Sequence, residues 1–124
     1  MIRISATQLD TLRAALERGF RRRAWDHVKK ESASLGNPDD ARLRASFDLS
    51  EAYVRQWGLA SEQVRIGLLK LAIMEGEAPF RDPQFAAIMS DGTRPERQRL
   101  RMAAAYLQQI AQTTAPAPMR STTR

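Results

Sequence analysis

The stretch SEQVRIGLLKLAIME, residues 61–75, predicts the helix around which the rest of the chain folds. Ser61 is a favourable N-cap residue, and the run that follows it is apolar on most of the helix circumference. A helix that is apolar nearly all round has to be covered on several sides, so we expect it at the centre of the domain. Its apolar positions are Val64, Ile66, Leu68, Leu69, Leu71, Ala72 and Ile73.

A long helix is predicted at the start of the chain, over about residues 6–34. Ser5 and Gln8 have the spacing of a capping box, which satisfies the first free amides of a helix. Apolar residues then recur at steps of three and four, which indicates one apolar stripe expected to face the core. The stripe consists of Leu9, Leu12, Leu16, Phe20, Ala24 and either His27 or Val28.

The segment GNPDD, residues 36–40, separates the first helix from a second one. Glycine is typical of a helix C-terminus, while Asn37 as N-cap and Pro38 in the first turn are typical of a helix start. The second helix is expected to end near Trp57, where Gly58 supplies the next C-terminal glycine. Its inward positions are predicted to be Leu43, Phe47, Val54 and Trp57.

Two further helices are predicted after the central one. Residues 75–79 break the pattern, and a short helix then covers about residues 82–92. Thr93 and Glu96 are spaced as another capping box, and open a fifth helix. The sequence therefore predicts an all-α, single compact domain of about five helices over residues 1–111, followed by a flexible tail over residues 112–124.

Composition narrows the range of functions. The net charge is +6, and it is distributed as +4 over residues 1–31, −3 over 32–92 and +5 over 93–124. Such basic ends favour a partner with a negative surface, either nucleic acid or an acidic protein face. The absence of cysteine excludes disulfides, thiolate metal sites and cysteine nucleophiles.

No motif points to catalysis. His27 is the sole histidine, and its place beside the apolar stripe is typical of a hydrogen-bonded residue at the edge of a core. A phosphate-binding glycine loop, a serine nucleophile elbow and a zinc-protease motif are all missing from the sequence. We therefore expect a protein that is not an enzyme, with no cofactor and no metal. The lack of a signal-like or membrane-spanning stretch leads us to expect a cytoplasmic protein.

The basic side of the first helix is the predicted contact surface. We expect its partner-binding residues to be Arg21, Arg22, Trp25, Lys29 and Lys30. An ordinary solvated helix face would look similar, because amphipathic helices carry charges on their outer side. A nucleic-acid interface is the alternative, with arginines on phosphates and Trp25 stacked on a base. The helix after residues 59–61 is too apolar to be a recognition helix, which counts against helix-turn-helix binding.

Several short motifs are distributed over residues 5–110. They are Phe20, His27-Val28, Tyr53, Gly58-Leu59, Ser61-Glu62, Val64, Asp82-Pro83, Ala86, Ile88-Met89 and Tyr106-Leu107. In these motifs the chain resembles a family of small helical proteins encoded beside type VI secretion components, often next to the spike protein VgrG and its effector-loading chaperones. The resemblance implies a non-catalytic adaptor or chaperone-like accessory that binds a secretion effector or a loading protein, or an immunity protein that neutralises a toxin. We expect a monomer or a small oligomer that does not enter a membrane.

Overall fold

A computed structural model describes residues 5–114, and this part of the chain folds into one compact all-helical domain. The prediction of an all-α fold with a long first helix is confirmed. The described residues hold six helices rather than five, because the segment predicted as a break contains a one-turn helix. They are α1 Ala6–Lys30, α2 Asp40–Gln56, α3 Glu62–Glu75, α4 Ala78–Arg81, α5 Pro83–Met89 and α6 Glu96–Thr114.

The central helix α3 separates two apolar clusters, as its composition predicts. One side of α3 packs into a C-terminal core, built from Val54, Trp57, Leu59, Val64, Leu68, Ala72, Phe80, Phe85, Met89 and Ala103. The other side packs into an N-terminal core, built from Phe20, Ala24, Val28, Leu35, Leu43, Phe47, Leu69 and Ile73. Burying each large apolar side chain contributes about 1.5–3 kcal/mol. Because α3 supplies residues to both cores, its placement holds the domain together.

The boundary between α1 and α2 differs from the prediction. The helix α1 ends at Lys30, and the turns over residues 31–36 bring Leu35 into the N-terminal core, where it is buried. Asn37 is not the N-cap of α2, since it continues the left-handed turn with φ +50°. Asp39 caps α2 instead, and its carboxylate accepts the backbone N–H of Arg42 at 2.8 Å.

The predicted capping box of Thr93 and Glu96 is wrong, because both side chains bind elsewhere. The carboxylate of Glu96 accepts the backbone N–H groups of Ala60 at 3.0 Å and Ser61 at 2.8 Å, just before α3. The hydroxyl of Thr93 donates to Asp91. Glu96 therefore ties the start of α6 to the start of α3, a long-range contact that local spacing does not reveal.

The end of α6 lies beyond the predicted domain boundary at residue 111. The helix continues to Thr114, so the start of the predicted tail is helical. The remainder of that prediction, residues 115–124, lies outside the described residues.

The first helix is buried along only half of its length. Phe20, Ala24 and Val28 are buried, as predicted. The segment Ala6–Arg18, here named the free arm, is exposed at every residue. Its predicted burial is therefore wrong, with Leu9 37%, Leu12 47% and Leu16 61% exposed.

The free arm is uncovered because α3 starts too late to accompany it. Glu62 is the first residue of α3, and its carboxylate binds the guanidinium of Arg23 at 2.8 and 2.9 Å. Residues before Gly19 therefore extend beyond the start of the central helix.

Candidate partner-binding groove

The predicted contact surface forms one wall of an open groove between α1 and α2. The two helices run in opposite directions, since Lys29 near the end of α1 pairs with Asp40 at the start of α2, while the earlier Arg21 lies over the later Phe47. The groove, named here the α1–α2 groove, has a volume of about 770 Å³. It is lined by Arg18, Arg21, Arg22, Trp25, Asp26, Arg44, Phe47 and Asp48.

The floor of the α1–α2 groove is aromatic and fixed. The ring of Phe47 is buried and lies 6.2 Å from the ring of Phe20, so it is part of the N-terminal core. The guanidinium of Arg21 lies 4.8 Å from the centre of the Phe47 ring, within the range of a cation–π contact. Trp25 packs partly buried against the same core. The ring of Phe47 is therefore largely covered, and the accessible aromatic surface of the groove belongs mainly to Trp25.

The arginines around this floor form no close ion pair, although the charge of Arg44 acts on Asp40 and helps to lower the pKa of that carboxyl. Within residues 5–114, Arg18, Arg22 and Arg44 form no salt bridge. The lining residues comprise four arginines and two aspartates, so the groove is positive. By contrast, Arg23 on another face of α1 is held by Glu62, and the pKa of Glu62 is lowered by the Arg23 hydrogen bond and charge. The groove thus exposes unpaired guanidinium groups beside aromatic rings.

The five predicted contact residues do not form one cluster. Arg21, Arg22 and Trp25 line the groove together. Lys29 lies one turn further along α1, where its ammonium donates to Asp40 at 2.9 Å. This hydrogen bond and the charge of Lys29 lower the pKa of the Asp40 carboxyl. Lys30 is exposed and is not among the lining residues, so the structure separates it from the groove.

Five of the eight residues that line the groove were not among the predicted contact residues. Arg44 and Asp48 lie on α2, one turn apart, on either side of Phe47. Their spacing is visible in the sequence. What the sequence does not show is that this face of α2 lies opposite Arg21 and Trp25.

A second, smaller section continues the groove along the free arm. It adds Ala14, Glu17, Glu51 and Arg55 to the lining and has a volume of about 470 Å³. Nearby, Arg65 of α3 donates to Glu51 at 3.2 Å and to Glu17 at 3.1 Å. Its guanidinium also lies 3.7 Å from the centre of the Phe20 ring. Burial lowers the pKa of Arg65, but the hydrogen bond and charge of Glu51 outweigh it and raise the pKa overall.

His27 lies at the edge of the N-terminal core, as predicted, and away from the groove. Its Nε2 atom is 2.8 Å from the Glu31 carboxylate and 3.2 Å from the Lys70 ammonium. These contacts join α1 to α3. In the described part of the chain, no group of three or more His, Asp or Glu side chains could hold a metal ion.

Comparison with known proteins gives no matching family model, curated protein or solved structure. Among the helices of residues 5–114, none combines the length and apolar character needed to cross a membrane.

Proposed function

We propose that this protein is a non-catalytic protein-binding factor whose α1–α2 groove receives an acidic segment of a partner protein. The observation that carries the proposal is the set of unpaired arginines around Trp25 and Phe47. Guanidinium groups bind carboxylates in paired hydrogen bonds, and tryptophan and arginine are the residues most often found to dominate binding at protein interfaces.

An acidic protein segment fits the groove better than a nucleic-acid backbone does. Asp26 and Asp48 stand among the arginines, and their carboxylates would repel a run of phosphates. A folded or extended peptide can place its acidic side chains individually and leave an apolar side chain to contact Trp25. The alternative function is binding of nucleic acid by the same arginines.

We further propose that the partner belongs to a type VI secretion cluster, as an effector or a loading protein. Support for this step comes from the resemblance in the short motifs of residues 5–110. In that setting the protein would act as an adaptor or chaperone-like accessory in the cytoplasm. An immunity role uses the same kind of groove, and the toxicity of the partner would distinguish the two.

The test begins with co-purification on the tagged protein from the lysate of its native cell, with and without nuclease. The captured protein is then purified, and its affinity for the wild-type chain is measured by calorimetry. We expect the double variant Arg22→Ala with Trp25→Ala to weaken this affinity at least tenfold, since both side chains line the groove. Lys30→Ala is the matched control, because Lys30 lies on the same helix outside the groove. The affinity of this variant for the captured protein should equal that of the wild type.

Two results would reject the proposal. An affinity unaffected by Arg22→Ala with Trp25→Ala, in a variant whose circular dichroism shows it folded, would place binding elsewhere. Loss of the captured protein on nuclease treatment would favour nucleic-acid binding. In that case the logarithm of the binding constant for nucleic acid should fall linearly with the logarithm of the salt concentration.

A further inference from the structure

Two aspartates in the α1–α2 groove have no partner in the described part of the chain. Neither the Asp26 nor the Asp48 carboxylate accepts a hydrogen bond or forms an ion pair there. By contrast, Asp40 of the same two helices pairs with Lys29. Both unpaired side chains are exposed, so water solvates their charges while the groove is open.

The two aspartates lie at different levels of the groove. Asp26 lines only the larger section, together with Arg22 and Arg44. Asp48 lines both sections, as Arg18 does, and therefore lies midway along the groove. Each aspartate is thus accompanied by arginines at its own level, and the positive surface of the groove is interrupted twice by a negative charge.

A partner that covers the groove would remove water from both aspartates. A buried carboxylate costs free energy unless a cation or hydrogen-bond donors replace its water. The arginines of the groove could turn toward the aspartates, but they would then bind the carboxylates of the partner less strongly. A partner held by these arginines therefore needs basic groups of its own for Asp26 and Asp48.

We propose that the segment bound in the α1–α2 groove carries basic side chains as well as acidic ones. The acidic side chains bind the arginines, and the basic side chains bind Asp26 and Asp48. This inference rests on the proposed function, because it describes the same partner in the same groove.

The residues of α1 determine the order of charges that the segment has to present. Arg18, Arg22 and Asp26 are four residues apart, so each lies on the same side of the helix as the next. Successive members are roughly 6 Å apart along the helix axis. A segment beside them needs two acidic side chains followed by a basic one. On the opposite wall, Arg44 and Asp48 are also four residues apart and require one acidic and one basic side chain.

This pattern discriminates between partners that the arginines alone would accept. A purely acidic segment would satisfy the arginines but would bring like charges to both aspartates, and such contacts cost binding free energy. A nucleic-acid backbone, as a continuous run of phosphates, would meet the same repulsion. Asp26 and Asp48 therefore determine specificity by weakening the binding of segments that lack the matching basic side chains.

The sign of the effect of removing an aspartate tests the proposal. The probe is the protein captured and purified in the test of the proposed function, and calorimetry measures its affinity for each variant. Asp26→Asn and Asp48→Asn should each weaken binding roughly tenfold, because a basic side chain of the partner loses its carboxylate. With a purely acidic segment, both variants would bind more tightly than the wild type.

Asp10→Asn is the matched control for these two variants. Asp10 is an exposed aspartate of the same helix, it has no partner within residues 5–114, and it does not line the groove. Its replacement should leave the affinity unchanged. The charge reversal Asp48→Lys should weaken binding further than Asp48→Asn. Circular dichroism checks that each variant is folded.

Failure of this inference and failure of the proposed function give different results. If Arg22→Ala with Trp25→Ala leaves the affinity unchanged, the groove is not the binding site and the proposed function fails. If that double variant weakens binding while Asp26→Asn or Asp48→Asn binds as tightly as the wild type or more tightly, this inference alone is overturned.

Discussion

The two halves of α1 have the same apolar spacing but different surroundings. In the second half, Ala24 and Val28 are almost fully buried against α3 and the N-terminal core. In the first half, Leu12 and Leu16 are about half exposed. The three-four repeat determines which face of a helix is apolar. Whether that face is covered depends on where the neighbouring helices begin, and α3 begins only at Glu62.

The largest expected effect is the difference in the free energy of unfolding between variants in the two halves of α1. Phe20→Ala should lower the free energy of unfolding by about 4 kcal/mol, because the ring is buried and its removal leaves a cavity. The corresponding change in the free arm, Leu16→Ala, should stay within about 0.5 kcal/mol, because the side chain is mostly exposed. Urea unfolding of both variants, at a concentration where the chain is monomeric, measures the difference.

Comparable losses in these two variants would contradict the division of α1. They would mean that the leucines of the arm are packed in the monomer.

The next effect concerns Arg65, whose guanidinium binds the carboxylate of Glu51 in the folded body and that of Glu17 in the free arm. Glu51 is buried, whereas the side chain of Glu17 in the arm is 63% exposed. Glu51→Ala should cost about 3 kcal/mol, because it removes the main partner of a guanidinium that is largely buried. Glu17→Ala should change stability by less than about 0.5 kcal/mol. The same unfolding measurement applies, and equal costs would show that both carboxylates are equally desolvated.

Much of the fold could be predicted from local patterns. The central place of α3 follows from its apolar circumference, and both cores contact it as expected. The end of α2 also agrees, since Gly58 has φ +65° and Leu59 packs into the core behind it. These features depend on residues close in sequence, so local sequence patterns are sufficient to predict them.

The errors occur where a side chain binds far along the chain. Glu96 has the spacing of a local cap, yet it binds the backbone before α3, because the two helix starts meet in the fold. The candidate site likewise combines residues predicted from local spacing with residues that only the fold brings together. Arg21, Arg22 and Trp25 were predicted from one helix, whereas Arg44 and Phe47 complete the groove from α2. Helix periodicity does not specify which faces of two helices meet.

The smallest effect lies at Arg23 and Glu62, where the buried and exposed halves of α1 meet. The Arg23 hydrogen bond and charge lower the pKa of Glu62 in the folded chain. Stability from this pair is therefore present above the unfolded pKa of about 4.3 and is lost as the pH falls through the lower folded value. Glu62→Gln removes this contribution.

Thermal unfolding of both proteins between pH 7 and pH 2 isolates the pair, because the other carboxylates with lowered pKa values, such as Asp82, are common to both. The variant should melt slightly below the wild type at pH 7, and the gap should close as the pH falls below about 4. A gap that persists to pH 2 would show that Glu62 holds α1 by packing rather than by charge. The start of α3 would then hold α1 beyond the last residue of the free arm through shape alone.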